Sequence, residues 1–442
     1  MQKNDILNLE IVDVGYNGEG VAKMDNIVIF VPFALKGEIV KAHILKVNKS
    51  VAFAKLIEVL SPSKDRCTPP CKHFSKCGGC SMQHIKYDKQ LEIKRQIVID
   101  ALKKYAGITC GVKPCTPSDK AYHYRNKMQY PVTPSGVGMY KTNSHSLVRI
   151  ENCCLSMPLC QKAYEIVRNF IEQFNISAYD EQTKQGQLRN LLFREVEDKI
   201  SICLVINAKE LPHINNLIEN LKKELNENFS LHYNINTKHN NTILSNNTIC
   251  IYGNDVIVGN SFDVEFEISP NSFMQINPYV QNAIYSHVLS LANASQIVFN
   301  AYSGAGLLTA MLAKKCTKVY GIEIVEQATI NANKLMQQNN ITNVLNITGK
   351  TEDQIHKLMQ THEKDNTLLV LDPPRKGVEK QVVEAINKSP PRTIVYISCN
   401  PATLARDISL LNGYKILSIT PYDMFPQTRH VECVAHLVYN ND

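Results

Sequence analysis

From residue 266 to its end, the chain alternates short apolar segments with helix-like segments, and this alternation constrains the fold more than any other feature. Five segments have the composition of buried strands: "QIVFNA", "KVYGIEI", "NVLNIT", "TLLVLDPP" and "TIVYISCN". Strands separated by helices run parallel in one sheet, so the pattern predicts a doubly wound α/β domain. "GYKILSITPYD" and "HVECVAHLVYN" then follow each other across a turn. We expect them to close the sheet as two further strands.

The first predicted strand leads into a glycine-rich turn, "FNAYSGAGLL". Gly304 and Gly306 allow a tight turn before a helix that begins near Leu307. Glu323 ends the second strand, where the acidic residue of nucleoside-binding folds contacts the ribose. Thr309 replaces the third glycine of the dinucleotide fingerprint. A pyrophosphate usually needs that complete loop, so the turn favours a nucleoside without phosphates, such as S-adenosylmethionine.

Two reactive side chains are predicted at the carboxyl edge of the same sheet. Asp372 follows the fourth strand, and Cys399 ends the fifth strand in "VYISCNPATLARD". Asn400 and Pro401 have the residue types of a helix N-cap and first helical position. We expect the new helix and a cationic neighbour such as Arg375 to lower the pKa of the Cys399 thiol. A buried cysteine that acts only as a small apolar residue is the alternative.

The rest of the chain divides into two parts before residue 266. Alternating apolar runs in residues 1–60 predict a small β-barrel, either structural or an OB-like RNA-binding module. Residues 61–265 begin with a cysteine-rich loop and continue into a helix at about 85–110 and a β-rich region. That region contains a helix near "LCQKAYEIVRNFIEQF" and an Asn-rich hairpin around 234–248. The predicted domains are therefore 1–60, 61–265 and 266–442.

The 14 cysteines of this 442-residue chain need an explanation. No signal pattern and no run of eighteen apolar residues occurs, so we expect a soluble, cytoplasmic, monomeric protein without a membrane partner. In that setting cysteines are metal ligands, nucleophiles or core residues more often than disulfides. The net charge of +7 permits an RNA partner but does not by itself require one.

Three cysteines, Cys71, Cys77 and Cys80, have C-x5-C-x2-C spacing within the loop "CKHFSKCGGC". Ligation by sulfur alone suits an iron–sulfur cluster and zinc equally. Cys67 would complete a local zinc site without any distant ligand. The spacing does not match the C-x3-C-x2-C of radical enzymes that use S-adenosylmethionine.

Five segments in the same order together resemble one family: "SPNSFMQIN", "FNAYSGAG", "LLVLDPPRKG", "VYISCNPATLARD" and "FPQTRHVE". They are similar to the RNA uracil-5-methyltransferases that use S-adenosylmethionine. The resemblance implies a Rossmann-like class I methyltransferase domain, an N-terminal OB-like β-barrel of the TRAM type and a β-rich central domain with an iron–sulfur loop. It assigns Cys399 as nucleophile, Glu432 as base, and four residues as cofactor contacts: Gln275, Tyr302, Glu323 and Asp372.

The same resemblance gives the cysteine loop a 4Fe–4S cluster, held by Cys71, Cys77, Cys80 and a distant fourth cysteine. Cys153 and Cys154 are both candidates for that ligand, and the distance to Pro158 matches the family better at Cys153. The cluster loop and the TRAM-like module favour 23S ribosomal RNA as substrate over the T-loop uridine of tRNA. A non-catalytic RNA-binding module and a nicotinamide oxidoreductase are the competing functions, and Cys399 has no part in hydride chemistry.

Overall fold

The structure is a computed structural model that describes residues 1–15, 18–240, 242–294, 296–362 and 366–440. Its strands form an N-terminal six-stranded sheet, a central seven-stranded sheet, a separate two-stranded hairpin and a C-terminal seven-stranded sheet. The three larger sheets follow one another along the chain, each with its own apolar core.

The N-terminal sheet has the strand order β1-β5-β6-β4-β3-β2. Its strands are β1 (Ile6–Glu10), β2 (Asp13–Val14), β3 (Gly20–Met24), β4 (Ile27–Val31), β5 (Ile39–Val47) and β6 (Val51–Ser61). The sequence pattern predicts β1, β4, β5 and β6 but not β3, because the three buried residues at the start of β3 do not alternate with exposed ones. Residues 16 and 17 of the predicted turn before β3 lie outside the described residues.

The central sheet follows a long helix, α1 (Tyr87–Ala106), and has the order β13-β12-β11-β10-β7-β8-β9. Its strands are β7 (Lys127–Thr133), β8 (Gly136–Tyr140), β9 (Leu147–Arg149), β10 (Leu188–Val196), β11 (Lys199–Ile206), β12 (Phe229–Ile235) and β13 (Thr248–Tyr252). Helices α2 (Pro158–Gln173) and α3 (Ile214–Leu225) bury their apolar faces against it. β12 and β13 form the predicted Asn-rich hairpin, in which residue 241 lies outside the described residues.

The C-terminal sheet is the doubly wound α/β sheet that the sequence predicts, with the order β18-β17-β16-β19-β20-β22-β21. Its strands are β16 (Ile297–Ala301), β17 (Lys318–Glu323), β18 (Val344–Thr348), β19 (Thr367–Leu371), β20 (Thr393–Ser398), β21 (Tyr414–Tyr422) and β22 (Glu432–Tyr439). The first five strands are parallel, and β22 joins β20 and β21 antiparallel. The flanking helices are α4 (Pro278–Leu291), α5 (Leu307–Ala313), α6 (Glu326–Gln338), α7 (Thr351–Met359), α8 (Lys380–Lys388) and α9 (Pro401–Ser409).

Two elements from outside residues 266–442 pack on this C-terminal sheet. α1 places Val98 and Leu102 in the same core as residues of β16, β19 and α9. The hairpin of β14 (Ile257–Ser261) and β15 (Val264–Ile268) packs on α5 and α6. The boundary that the sequence places at 265/266 therefore falls inside a strand. Among the described residues, no helix is both long and apolar enough to cross a membrane.

Candidate active site

The carboxyl ends of β16, β19 and β20 meet at one edge of the C-terminal sheet. β16 and β19 are parallel neighbours, and β19 and β20 are the next pair. The residues that follow these strands, Tyr302, Asp372 and Cys399, therefore lie side by side at the point where the strand order reverses. Ligands of open α/β sheets bind at this switch point.

A cleft opens at this edge, and all four predicted cofactor residues line it. Gln275, Tyr302 and Asp372 line one part of the cleft together with the glycine turn. Glu323 lines the adjoining part, which shares Tyr302 and Asp372 with the first. Both parts also share Phe273, whose ring is 79% exposed.

The glycine turn leaves room for a nucleoside beside Glu323. The Glu323 carboxylate accepts hydrogen bonds from the backbone N–H groups of Gly304 and Val325, each at 2.9 Å. A carboxylate has more than two acceptor sites, so ribose hydroxyls can still donate to it. Gly306 has a φ of 86°, and a Cβ there would meet Ala332 at 2.8 Å. This chain's residues thus fit the nucleoside of S-adenosylmethionine.

Cys399 and Glu432 face each other across the antiparallel pair of β20 and β22. Ser398 pairs with Cys433, so continuing the register by one residue places Cys399 opposite Glu432. The Glu432 side chain is buried, with 4% of the residue exposed, whereas Cys399 is half-buried. Cys399 opens into a small pocket beside Arg375.

The pKa values of these groups correct one expectation from the sequence. Burial raises the pKa of the Cys399 thiol to about 11, and Glu432 adds to the rise while Arg375 opposes it. Arg375 lowers this pKa as the sequence predicts, but burial and Glu432 outweigh it, so the expected net lowering of the pKa was wrong. Burial and the Asp372 carboxyl raise the pKa of Glu432 well above its usual range. Burial also raises the pKa of Asp372, to about 7.

Helix α9 begins as the sequence predicts and holds the loop that follows Asp372. The Asn400 side chain accepts from the N–H of Ala402 at 3.1 Å and donates to the carbonyl of Arg375 at 3.1 Å. Asp407 is buried and accepts from the N–H of Val378 at 3.0 Å and from the Tyr396 hydroxyl at 2.6 Å. The end of "NPATLARD" thus fixes the loop that carries Arg375.

The structure adds residues that the sequence did not single out. Ile97 of α1, Arg429, His430 and Val431 line the pocket of Cys399. Tyr285 of α4 lines the cofactor cleft, and burial together with the Asp372 and Glu432 carboxyls raises its pKa. Ile97 and Tyr285 come from helices distant in the chain, and no local pattern marks them, whereas Arg429, His430 and Val431 lie in the segment "FPQTRHVE" that carries the family resemblance.

A second cavity is formed by cysteines of the loop and of "IENCC". The thiols of Cys71, Cys77, Cys80, Cys153 and Cys154 line it. Its remaining wall is mainly apolar and includes Phe74, Met128, Met139 and Ile150, with Arg125 as the cation. Cys67 is not part of the lining, because its thiol donates to the carbonyl of Gln83 at 3.4 Å.

The sulfur atoms of these cysteines are not arranged as a tetrahedral zinc site requires. A tetrahedral zinc site with Zn–S bonds of about 2.3 Å needs its sulfur atoms less than about 4 Å apart. Within the described part of the chain, no three of these cysteines have their sulfur atoms all within 4.8 Å of one another. A cavity lined by cysteine thiols supplies the type of ligand that a 4Fe–4S cluster takes.

The two candidates for the fourth ligand have different neighbours. Burial raises the pKa of Cys77 and Cys80, and the Cys153 thiol adds to the rise in both. Cys154 instead forms a hydrogen bond with Cys71, which lowers the pKa of Cys71. Cys80 also raises the pKa of Cys154, and both candidates line the same cavity as Cys77 and Cys80.

Comparisons with known proteins agree with this arrangement. The profile of the tRNA (Uracil-5-)-methyltransferase family matches residues 86–439, and the TRAM domain profile matches residues 2–57. An RNA methyltransferase of Clostridium tetani is 39% identical over 452 residues, covering 100% of this chain and 98% of the relative. One of Clostridium acetobutylicum is 37% identical over 448 residues, covering 98% of this chain and 97% of the relative.

A solved structure matches nearly the whole fold. It is the tRNA (uracil-54, C5)-methyltransferase of Pyrococcus abyssi in complex with S-adenosyl-L-homocysteine. The match has a TM-score of 0.80 and 29% sequence identity, and it covers 98% of this chain and 99% of the other. The chain belongs to the tRNA (uracil-5-)-methyltransferase family: it is an S-adenosylmethionine-dependent RNA uracil-5-methyltransferase with an N-terminal TRAM domain.

Proposed function

We propose that this enzyme methylates carbon 5 of a uridine in 23S ribosomal RNA through a covalent bond between Cys399 and carbon 6 of the base. The observation that carries the covalent mechanism is the position of the Cys399 thiol beside Asp372 and opposite Glu432, at the edge of the cofactor cleft. A nucleophile, two carboxyl groups and a methyl-donor site are all needed within reach of one uracil ring.

Carbon 5 of uracil is a weak nucleophile, and covalent addition at carbon 6 increases its nucleophilicity. Cys399 adds to carbon 6, and the ring electrons move to give an enolate whose carbon 5 attacks the methyl group of the donor, displacing the donor's sulfur as a neutral thioether. S-adenosylmethionine supplies that methyl group when it is bound. The Cys399 thiol is protonated at neutral pH, because its pKa is about 11. Asp372, with a pKa of about 7, is the nearby base that takes this proton as the carbon–sulfur bond forms.

Glu432 completes the reaction after the methyl group has been transferred. Its carboxylate removes the proton at carbon 5, the carbon–sulfur bond breaks, and Cys399 leaves as a thiolate. The raised pKa of Glu432 makes its ionised form a stronger base than an exposed glutamate. Gln275, Tyr302 and Glu323 hold the nucleoside and amino-acid parts of the methyl donor.

We also propose that Cys71, Cys77, Cys80 and Cys153 hold a 4Fe–4S cluster. The support is a single cavity with a mainly apolar wall that is lined by these thiols, no three of which, among the described residues, have their sulfur atoms all within 4.8 Å of one another. Such a cluster would join the cysteine loop to the start of α2 through Cys153.

Protein purified without oxygen should be brown, with the broad absorbance of an iron–sulfur cluster. We expect Cys77→Ser or Cys80→Ser to remove this absorbance and the bound iron, whereas Cys67→Ser should keep both. Iron and sulfide analysis with a visible spectrum measures the effect. A colourless protein that holds one equivalent of zinc would contradict the cluster and favour the group that includes Cys67.

The choice of RNA rests on the modules that precede the catalytic domain. A TRAM domain and a cysteine cluster loop are the features that favour 23S ribosomal RNA. tRNA is the second candidate, because the Pyrococcus abyssi enzyme is a tRNA methyltransferase and its match extends over 98% of this chain. The N-terminal module therefore does not exclude tRNA as the substrate.

Nucleoside analysis separates the two substrates. We expect the enzyme with S-adenosylmethionine to form 5-methyluridine in unmodified 23S ribosomal RNA, and to leave a tRNA transcript unchanged under the same conditions. Methylation of the tRNA transcript alone would overturn the ribosomal assignment and keep the chemistry. If neither RNA gains 5-methyluridine, the proposed function fails.

A further inference from the structure

The loop between β21 and β22 (residues 423–431) connects the catalytic pocket to distant parts of the chain. Its second half supplies Arg429, His430 and Val431 to the wall of the Cys399 pocket, and Glu432 follows directly. Its first half touches neither the nucleophile pocket nor the cofactor cleft. The position of the second half therefore depends on what holds the first.

Gln427 lies in this loop in an unusual state for its residue type. It is 1% exposed, and its φ is 69°, in the left-handed region that glutamine rarely adopts. Such a conformation persists when the surroundings fix it, and it occurs most often at functional sites.

Gln427 pairs with the side chain of Gln90 of α1 through two hydrogen bonds, one to its own side chain and one from its backbone. Gln90 Nε2 donates to Gln427 Oε1 at 3.0 Å, and the backbone N–H of Gln427 donates to Gln90 Oε1 at 3.2 Å. Gln90 is held in turn, because its Nε2 also donates to the carbonyl of Ile85 at 2.8 Å. Both glutamines are buried, so the pair is shielded from competing water.

The backbone of Gln427 is bound to the cysteine loop. Its carbonyl accepts from the N–H groups of Ser81 and Met82, each at 3.0 Å, and these residues directly follow Cys80. Gln427 thus connects α1 and the cysteine loop to the loop between β21 and β22.

Neighbouring residues of the loop are anchored from the same side. Lys94 of α1 forms a fully buried ion pair with Asp423 and donates to the carbonyl of Phe425 at 3.0 Å. The Tyr124 hydroxyl donates to the carbonyl of Pro426 at 3.0 Å. These contacts hold the residues of the loop that precede Gln427. Gln427 is the last buried residue of the loop before Arg429, the first of its residues to line the pocket.

We propose that Gln427 is a positioning residue for uracil-5 methylation, which it supports by holding the loop that places Glu432 opposite Cys399. The side chain of Gln427 contributes the bond from Gln90 Nε2 and a bond that its own Nε2 donates to the carbonyl of Ala121 at 3.4 Å. This inference rests on the proposed roles of Cys399 and Glu432. It adds a structural connection between the cysteine loop and Glu432, the proposed general base. Glu432 directly follows this loop, whereas Cys399 follows β20 and only faces the loop's second half, so loosening the loop should displace the base more than the nucleophile.

The test is Gln427→Asn, because asparagine tolerates a positive φ but is too short to keep the pair with Gln90. We expect turnover to fall by roughly 10- to 100-fold, as for other misplaced catalytic groups, with an unchanged KM for S-adenosylmethionine. The fraction of enzyme trapped as a Cys399–RNA adduct on denaturing gels should rise above that of the wild type. Gln173→Asn, at an exposed position on α2, is the matched control.

A double-mutant cycle tests whether the pair acts as a unit. If it does, Gln90→Asn combined with Gln427→Asn should lose no more activity than either single change. A merely structural role would lower the melting temperature and the active fraction without raising the adduct level, and that result overturns the inference. So does wild-type turnover in Gln427→Asn while Glu432→Gln still accumulates adduct. Absence of adduct in Glu432→Gln as well would overturn the covalent mechanism together with this inference.

Discussion

Cys399→Ala is expected to abolish methyl transfer, with a loss of roughly 10⁴-fold or more, as for other catalytic nucleophiles. Without the thiol, no covalent bond forms at carbon 6 and carbon 5 stays a weak nucleophile. Binding of S-adenosylmethionine should be nearly unchanged, because Cys399 opens into the small pocket beside Arg375 and does not line the cofactor cleft. Single-turnover methylation and calorimetric titration with the cofactor measure the two quantities.

The matched control is Cys250→Ala, since Cys250 is another half-buried cysteine that lies on the edge strand of the central sheet. It should keep normal activity. Full methylation by Cys399→Ala would show that the reaction does not use this thiol. Loss of cofactor binding together with activity would instead indicate a damaged fold.

Glu432→Gln is expected to stop the reaction after the methyl group has been transferred. Glutamine keeps the size of the glutamate side chain, so the buried site should stay packed, but its amide cannot take the proton from carbon 5. A methylated RNA should therefore remain linked to Cys399 and survive denaturing electrophoresis. We expect turnover to fall by roughly 10²- to 10⁴-fold, the usual contribution of a general base.

Mass spectrometry of the digested adduct identifies the linked residue and the added methyl group. Cys399→Ala should give no adduct, and the exposed Glu384→Gln on α8 should behave as wild type. Normal turnover of Glu432→Gln without any adduct would mean that another group, such as Asp372 or a water molecule, removes the proton.

The sequence by itself determined the succession of strands and helices along the C-terminal domain, its doubly wound class and the edge that carries the site. Strand and helix periodicity depends on neighbouring residues, so β16 to β22 and α1 could be predicted from the local pattern of apolar and polar residues. The Asn400 cap and the glycine turn before Leu307 were predictable for the same reason, because both depend on adjacent residues.

Only the tertiary structure decided the electrostatics of that edge and its connection to the rest of the chain. Cys399 stands just before the N-terminus of α9, which by itself would lower the pKa of the thiol. The pKa nevertheless rises, because burial and the carboxyl of Glu432 have the larger effect. Burial and the approach of β22 are set by long-range packing, which no local pattern encodes. The same holds for Ile97 in the nucleophile pocket and for the Gln90–Gln427 pair, whose members are 337 residues apart in sequence and in contact in space.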